Sequence, residues 1–307
     1  MSDTMRVAAI EAGGTKFVLG IVEGGGPHQV PEVLARGRIA TQDPAATVDG
    51  AAAWFRKASE TYGPIERMGI ASFGPLAGRF GSTDWGRIGK TPKPGWSGFD
   101  LAGAMRERLG MTIAMDTDVN AAALAEGRWG ACRGLADHVY VTVGTGIGGG
   151  VVSNGALLHG ASHPETGHVP VPLEPDDRYA GHCPFHGACL EGMASGPAVA
   201  ARWGAPAESL PPGHPAWDLE ARYLASGFVP LVLVLATERI VLGGGLGSAP
   251  GLLQLVRAHL GARLAGYAPR LDAPGAMDAF IVPPGLGPDS GLLGAAALAM
   301  GAAFAIG

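Results

Sequence analysis

A strand, a glycine turn and a return strand occur twice in this chain at corresponding places, and that repeat limits the fold more than any other feature. The first copy runs Arg6-Val-Ala-Ala-Ile10, Glu11-Ala-Gly13-Gly14-Thr15-Lys16 and Phe17-Val-Leu-Gly-Ile-Val22. The second runs His138-Val-Tyr-Val-Thr-Val143, then Gly144-Thr145-Gly146-Ile147-Gly148-Gly-Gly150, with Val151-Val152 beginning the return strand. Both read as β-hairpins, apolar β-formers bracketing a glycine turn. Two halves that open alike predict a duplicated α/β unit facing a shared cleft. A third group, Gly243-Gly244-Gly245-Leu246-Gly247, follows Arg239-Ile-Val-Leu242 and precedes a helix expected from about Pro250. The 51 glycines are densest in these groups, without heptads, solenoid period or low-complexity tail, so the grouped ones are turn glycines rather than linker glycines.

Between the repeats the periodicity alternates. Helices are expected over Ala45 to Tyr62, over Phe99 to Leu109 with a cap near Ser97, and over Ala121 to Trp129. Short strands are expected over Met68 to Ser72, ending in Phe73-Gly74-Pro75, and over Met111 to Met115, stopping at Asp116-Thr-Asp118-Val-Asn120. Ser290 to Ala305 reads as a small-residue helix suited to close packing.

A chain of 307 residues can bury one large or two medium cores. With 47% hydrophobic and 16% charged residues it is globular, not disordered. A formal net charge of −5 and no basic run leave no nucleic-acid footprint. No apolar signal core opens the chain, and the longest apolar run, Phe228 to Ala236, is too short to span a bilayer. Three cysteines supply no disulfide framework, which favours a reducing cytoplasm.

Two of those cysteines belong to a metal pattern. His168, Cys183, His186 and Cys189 are spaced H-x14-C-x2-H-x2-C, enough to close a tetrahedral zinc site. His182 and His163 are alternative donors. Four protein ligands including thiolates argue for a structural site, without an open position for water. Glu165 and Glu191 flank the pattern, so a metal that pins this segment also fixes both carboxylates beside a polar pocket. Cys132, placed on the alanine-rich helix, reads as a small core residue.

Glycine turns let backbone N–H groups converge on phosphate oxygens, since no Cβ blocks the approach. Two such turns, each with a threonine (Thr15, Thr145), point to phosphate binding, with tight hairpin turns the bland alternative. Neither matches G-x-x-x-x-G-K-[ST] or a G-x-G-x-x-G leading into a helix. Asp118 lies where a strand ends and a helix begins. It can cap that helix, as can Asp116 or Asn120. It can also take a proton from a sugar hydroxyl attacking a γ-phosphate, because strand ends of α/β folds are where ligands bind.

These motifs together resemble the ROK family of sugar kinases, most of all its bacterial fructokinase branch, from Ile10 to about Ala297. Glu11-Ala-Gly-Gly-Thr-Lys16 resembles the family's first phosphate loop, commonly written with Asp at the position of Glu11. Asp118-Val-Asn120 resembles the element that holds the catalytic base, and Gly144 to Gly150 the second phosphate loop. His163-Pro-Glu165-Thr-Gly-His168 resembles the segment whose glutamate and histidine hold sugar hydroxyls, the histidine also ligating zinc. Glu191 matches a further sugar-binding acid. Ala194-Ser-Gly-Pro197 and Leu242 to Gly247 resemble parts lining the nucleotide. His186 stands where many relatives carry a cysteine, as in fructokinase-like members, and Thr91-Pro-Lys93-Pro-Gly-Trp96 also resembles that branch. Thr117 departs from the pattern, where most relatives carry Asn.

The resemblance implies a two-domain actin-like (ribonuclease H-like) ATPase fold with a hinged cleft: residues 1–117 plus 290–307 in a small N-terminal α/β domain, and 118–289 in a large one with the zinc loop. It implies ATP-dependent phosphorylation of fructose to fructose 6-phosphate in the cytoplasm by a homodimer, with structural zinc and with magnesium carried on ATP. Asp118 would be the base. Gly74, Pro75, Thr91, Lys93, Asn120, Glu165, His168 and Glu191 would hold the hexose. Gly13, Gly14, Thr15, Lys16, Thr145, Gly146, Pro197, Gly243, Gly244, Gly245 and Gly247 would hold ATP. The alternatives are a ROK kinase for mannose, glucose or N-acetylmannosamine, a non-catalytic sugar-binding module, and a repressor. Repressor members carry a helix-turn-helix ahead of the first loop, and Gly13 lies too near Met1 to leave room for one.

Overall fold

The computed structural model describes residues 5–24 and 29–301. Contacts divide the chain into two compact units, Met1–Gly134 with Gly155–Pro164 and Gly285–Gly307, and Leu135–Asn154 with Glu165–Pro284.

The first unit opens with β1 (Met5–Ala12), β2 (Lys16–Gly24), β3 (Glu32–Ala40), α1 (Pro44–Tyr62), β4 (Arg67–Ser72), α2 (Leu101–Leu109), β5 (Thr112–Thr117) and α3 (Asp118–Arg128). Its sheet has the order β3-β2-β1-β4-β5, with β1–β2 and β2–β3 antiparallel and β1–β4 and β4–β5 parallel. Along β1, Ala8 and Ile10 join one apolar cluster with Val48 and Phe55 of α1 and Leu101 and Met105 of α2. Val7 and Ala9 join another, with Ala121 and Leu124 of α3 and residues of the last helix. Period-2 alternation therefore sends successive side chains into two different cores, and a strand buried on both faces reads as a continuous apolar run.

The second unit carries β6 (His138–Val143) and β7 (Ile147–Ser153); the chain continues through β8 (Ala156–Leu157), α4 (Leu190–Ala194), α5 (Gly196–Trp203), α6 (Pro215–Leu233), β9 (Arg239–Gly243), α7 (Leu252–Leu264), α8 (Ala276–Phe280), β10 (Ile281–Val282) and α9 (Ser290–Ala299). The second sheet has the order β10-β9-β6-β7-β8, with β6–β7 antiparallel and β6–β9 and β9–β10 parallel. From β6, the antiparallel β7 and the parallel β9 and β10 repeat the pairing of β1 with β2, β4 and β5, so the duplicated α/β architecture expected from the two hairpins is present. Leu224, Phe228, Leu231, Val256 and Leu260 of α6 and α7 form its core with Val139, Val141, Ile240 and Leu242.

The C-terminal helix α9 packs in the first unit, by backbone contact. A Cβ on Gly69 of β4 would lie 1.7 Å from the carbonyl oxygen of Ala295, and one on Gly294 would lie 2.1 Å from that of Ala121. Small residues here are a requirement of helix–strand and helix–helix distance. The helix ends at Ala299; residues 302–305 of the expected element lie outside the described residues. Glu126 of α3, fully buried, fastens the same region. Its carboxylate accepts from the N–H of Ala131 (2.7 Å), Gly285 (3.0 Å) and Leu286 (3.1 Å) and from the Ser290 hydroxyl (2.7 Å). These contacts keep α3 in the first unit, whereas the boundary expected from sequence at 117/118 separates it from β5.

Several local expectations are corrected. Asp100, not Ser97, caps α2, accepting from Gly103 N–H at 2.8 Å; Ser97 instead bonds Thr91. The second glycine turn is shorter than expected. Gly148 to Gly150 already belong to β7, and a Cβ on Gly149 would lie 2.2 Å from Thr166 Oγ1. Glycine inside a strand marks a close approach there. Cys132 is buried, but in the turn after α3 rather than on the helix.

Candidate active site

In the first unit, β5 runs directly into α3. The cap of that helix is Thr117: its hydroxyl accepts from Asn120 N–H at 3.2 Å. Capping by Asp118, the alternative reading, is thereby replaced. Asp118 is the first helical residue, half-buried, and its Oδ1 accepts from Val119 N–H at 2.9 Å. The first turn of a helix is a favourable place for a carboxylate. Thr117, the departure from the family pattern, is 3% exposed and serves the backbone. Asn120 is fully buried, and its Nδ2 donates to Asp116 Oδ1 at 2.8 Å.

The first glycine turn is braced from outside. Lys93 Nζ donates to the Gly14 carbonyl and stands 5.4 Å from the Phe73 ring centroid. Burial lowers the Lys93 ammonium below the usual lysine range. The Thr41 hydroxyl donates to the Gly13 carbonyl at 2.8 Å, and Gly13 N–H donates to the Lys16 carbonyl at 3.0 Å. Thr15 and Lys16 are exposed. Burial pushes the Glu11 carboxyl above its ordinary value, opposed by the charge of Lys16. Gly74 and Pro75 follow β4, and the next N–H, of Leu76, donates to His163 Nε2 at 3.0 Å. Thr91 N–H is held by Ser97 Oγ at 3.0 Å.

In the second unit the glycine groups converge on the end of β6. Leu246 and Gly247 N–H both donate to the Val143 carbonyl (3.0 and 3.1 Å), and Gly196 N–H donates to that of Gly144 at 2.7 Å. Gly244 has φ +86°, and a Cβ on it would lie 2.4 Å from Val143 O, so only glycine fits. The start of α5 with Pro197, the turn with Thr145 and Gly146, and the segment Gly243 to Gly247 are thus one constellation of glycine backbone at the end of a strand. Glu191, in the first turn of α4, belongs to it: its Oε2 accepts from Ile147 N–H at 3.0 Å. Glu165 is exposed, immediately before the turn Thr166–His168.

The four expected metal ligands come together, their donor atoms all within 4.8 Å of one another. Cys183 Sγ lies 3.7 Å from Nδ1 of both His168 and His186, and Cys189 Sγ lies 3.6 Å from His168 Nδ1. A tetrahedron with zinc–ligand bonds of ~2.0–2.3 Å has edges of about 3.6 Å, so the donor set fits that ion. Neither alternative donor joins it. His163 is engaged with Leu76, and His182 lies outside the group. The expected site residues therefore sort as follows. Asp118, Asn120, Gly74, Pro75, Thr91, Lys93 and the first turn lie in the first unit. Glu165, His168, Glu191, the zinc ligands and the remaining glycines lie in the second.

Sequence reasoning missed His159, whose Nε2 lies 2.8 Å from Asp116 Oδ2. No motif of a few residues marks it, since its partner is 43 positions away.

The comparisons with known proteins agree with this architecture. The family model described as ROK family matches residues 7–302. A fructokinase of Zymomonas mobilis is 42% identical over 306 residues, covering 98% of each chain. A putative fructokinase of Bacillus subtilis is 36% identical over 293 residues, covering 95% of each. Among solved structures, a ROK family glucokinase from Streptomyces griseus, in complex with glucose and AMPPNP, matches with a TM-score of 0.74 and 25% identity, covering 96% of this chain and 99% of that one.

Proposed function

The chain belongs to the ROK family, and on that premise we propose that it is an ATP-dependent sugar kinase that converts fructose to fructose 6-phosphate. The observation that carries the choice of sugar is the 42% identity to a fructokinase across 98% of both chains.

Asp118 takes the proton of the 6-hydroxyl as that oxygen attacks the γ-phosphorus and the bond to the bridging oxygen of ADP breaks. A base held in the first helical turn by its own backbone needs little reorganisation. Asn120, Glu165, His168 and Glu191 hold the other hydroxyls, and Gly74, Pro75, Thr91 and Lys93 shape one wall. Backbone amides of the two turns, Gly13 to Lys16 and Thr145–Gly146, with Pro197 and Gly243 to Gly247, receive the nucleotide. Phosphoryl transfer asks mainly for positioning and charge stabilisation, which glycine backbone supplies without a mobile side chain. Magnesium, when bound with ATP, neutralises phosphate charge. Exclusion of water from the bound sugar and phosphate limits wasteful hydrolysis.

His168, Cys183, His186 and Cys189 would hold zinc as a clip, which would fix the segment that carries Glu165 and the start of α4 that carries Glu191 and would serve structure rather than the chemistry at the sugar. Thiol ligands suit a reducing cytoplasm, and a homodimer is the assembly the family resemblance favours; sedimentation velocity tests it. Among the described residues no helix is long and apolar enough to cross a membrane.

The reading is tested by ADP release with fructose, mannose, glucose and N-acetylmannosamine as acceptors, with zinc content measured alongside. Fructose is expected to give the highest kcat/KM. A preference for another hexose moves the assignment to a sister kinase, and ADP release from none of them overturns it.

A further inference from the structure

Asp116 is 1% exposed, and three donors meet at its carboxylate. Thr117 N–H reaches Oδ1 at 2.7 Å, Asn120 Nδ2 reaches Oδ1 at 2.8 Å, and His159 Nε2 stands 2.8 Å from Oδ2. An ionised carboxylate only accepts, so His159 must carry its proton on Nε2 and Asn120 must present its NH2 group. The opposite amide orientation would set two acceptors face to face. The amide oxygen of Asn120 is then turned away from Asp116, buried, and without a donor among the described residues. A buried carbonyl oxygen left in that state is destabilising until a donor pairs with it.

His159 is itself held in register. Its ring stacks on Phe80, centroids 4.1 Å apart at 14°, and meets the edge of Trp85 at 5.6 Å and 89°. Trp85 Nε1 donates to the Met115 carbonyl at 2.9 Å, which ties the aromatic clamp to the strand that carries Asp116.

We infer that His159 is a positioning residue for the hexose: through Asp116 it locks the amide of Asn120 so that Oδ1 accepts a hydrogen bond from a sugar hydroxyl. This rests on the sugar-kinase reading and assigns a direction to one of its contacts. His159 touches neither sugar nor nucleotide in this account. Its substitution therefore acts on hexose binding and only through Asn120.

The test is a double-mutant cycle on the whole chain, with KM for fructose and for ATP, kcat and calorimetric fructose affinity measured for each variant. His159→Ala is expected to raise KM for fructose about tenfold, the loss of one charge-assisted hydrogen bond, with KM for ATP unchanged. His159→Gln, which keeps a donor near the Nε2 position, restores most of the affinity. Asn120→Ala raises KM at least as far, and adding His159→Ala to it raises KM no further, because residues acting in series are not additive. The inference is overturned if the two substitutions add, if His159→Gln is as impaired as alanine, or if both KM values move together. Should His159→Ala fail to fold, a His159→Gln variant with KM for fructose near wild type supports the inference, and one as impaired as Asn120→Ala overturns it. A wild type that releases no ADP with any of the four hexoses overturns the kinase reading and the inference with it. A normal wild type with an unperturbed alanine variant overturns the inference alone.

Discussion

Glu191 Oε2 accepts the N–H of Ile147 at 3.0 Å, so a carboxylate read as a sugar ligand is also a brace for the second glycine turn. A Cβ on Gly146 would lie 2.7 Å from the same oxygen, which shows how tightly the turn is drawn against it. Glu191→Gln keeps an acceptor and loses the charge; KM for fructose should rise about tenfold with KM for ATP near wild type. Glu191→Ala removes the brace as well, and both KM values should rise. Steady-state kinetics with each substrate varied separates the two.

Asp118→Asn should lower kcat by about 10²–10⁴-fold, the usual worth of a general base. Thr117 caps α3 in its place, so helix content and melting temperature should stay near wild type. Turnover within a few-fold of wild type would remove Asp118 as the base.

Cys183→Ser should abolish zinc retention after dialysis against a chelator, read by elemental analysis. The released segment carries Glu165 and leads into the helix of Glu191, so KM for fructose should rise about tenfold or more. Full retention of zinc with unchanged KM would sink the clip.

Glu126→Ala removes the carboxylate that accepts from three backbone N–H groups and from the Ser290 hydroxyl in a buried site. The cost should be about 3 kcal/mol or more in denaturant unfolding, with Glu126→Gln intermediate. A loss below about 0.5 kcal/mol would show that these bonds are replaced by water.

Gly69→Ala places a methyl group 1.7 Å from the Ala295 carbonyl oxygen, a distance that only displacement of α9 relieves. Destabilisation of about 3 kcal/mol is expected, and reversal by no single substitution of an exposed residue. Equal stability of the variant would mean that α9 sits further from β4.

The amino-acid sequence on its own determined whatever depends on neighbours in the chain. The two hairpins, the glycine groups and the H-x14-C-x2-H-x2-C spacing are short patterns, because β-turn geometry and chelation act over a few residues. They were enough for the duplicated α/β sheets and for the gathering of His168, Cys183, His186 and Cys189. Only the tertiary structure decided which polar groups share a partner. Thr117 rather than Asp118 caps α3, which depends on where β5 ends, and Gly148 to Gly150 fall in a strand because they pair with β6, with Thr166 crowding Gly149. The pairs Asp116–His159, Gly14–Lys93 and Glu126–Gly285 lie 43, 79 and 159 positions apart. Burial is what makes such pairs binding: a carboxylate or ammonium taken from water must find partners wherever packing brings them, and no local pattern records that.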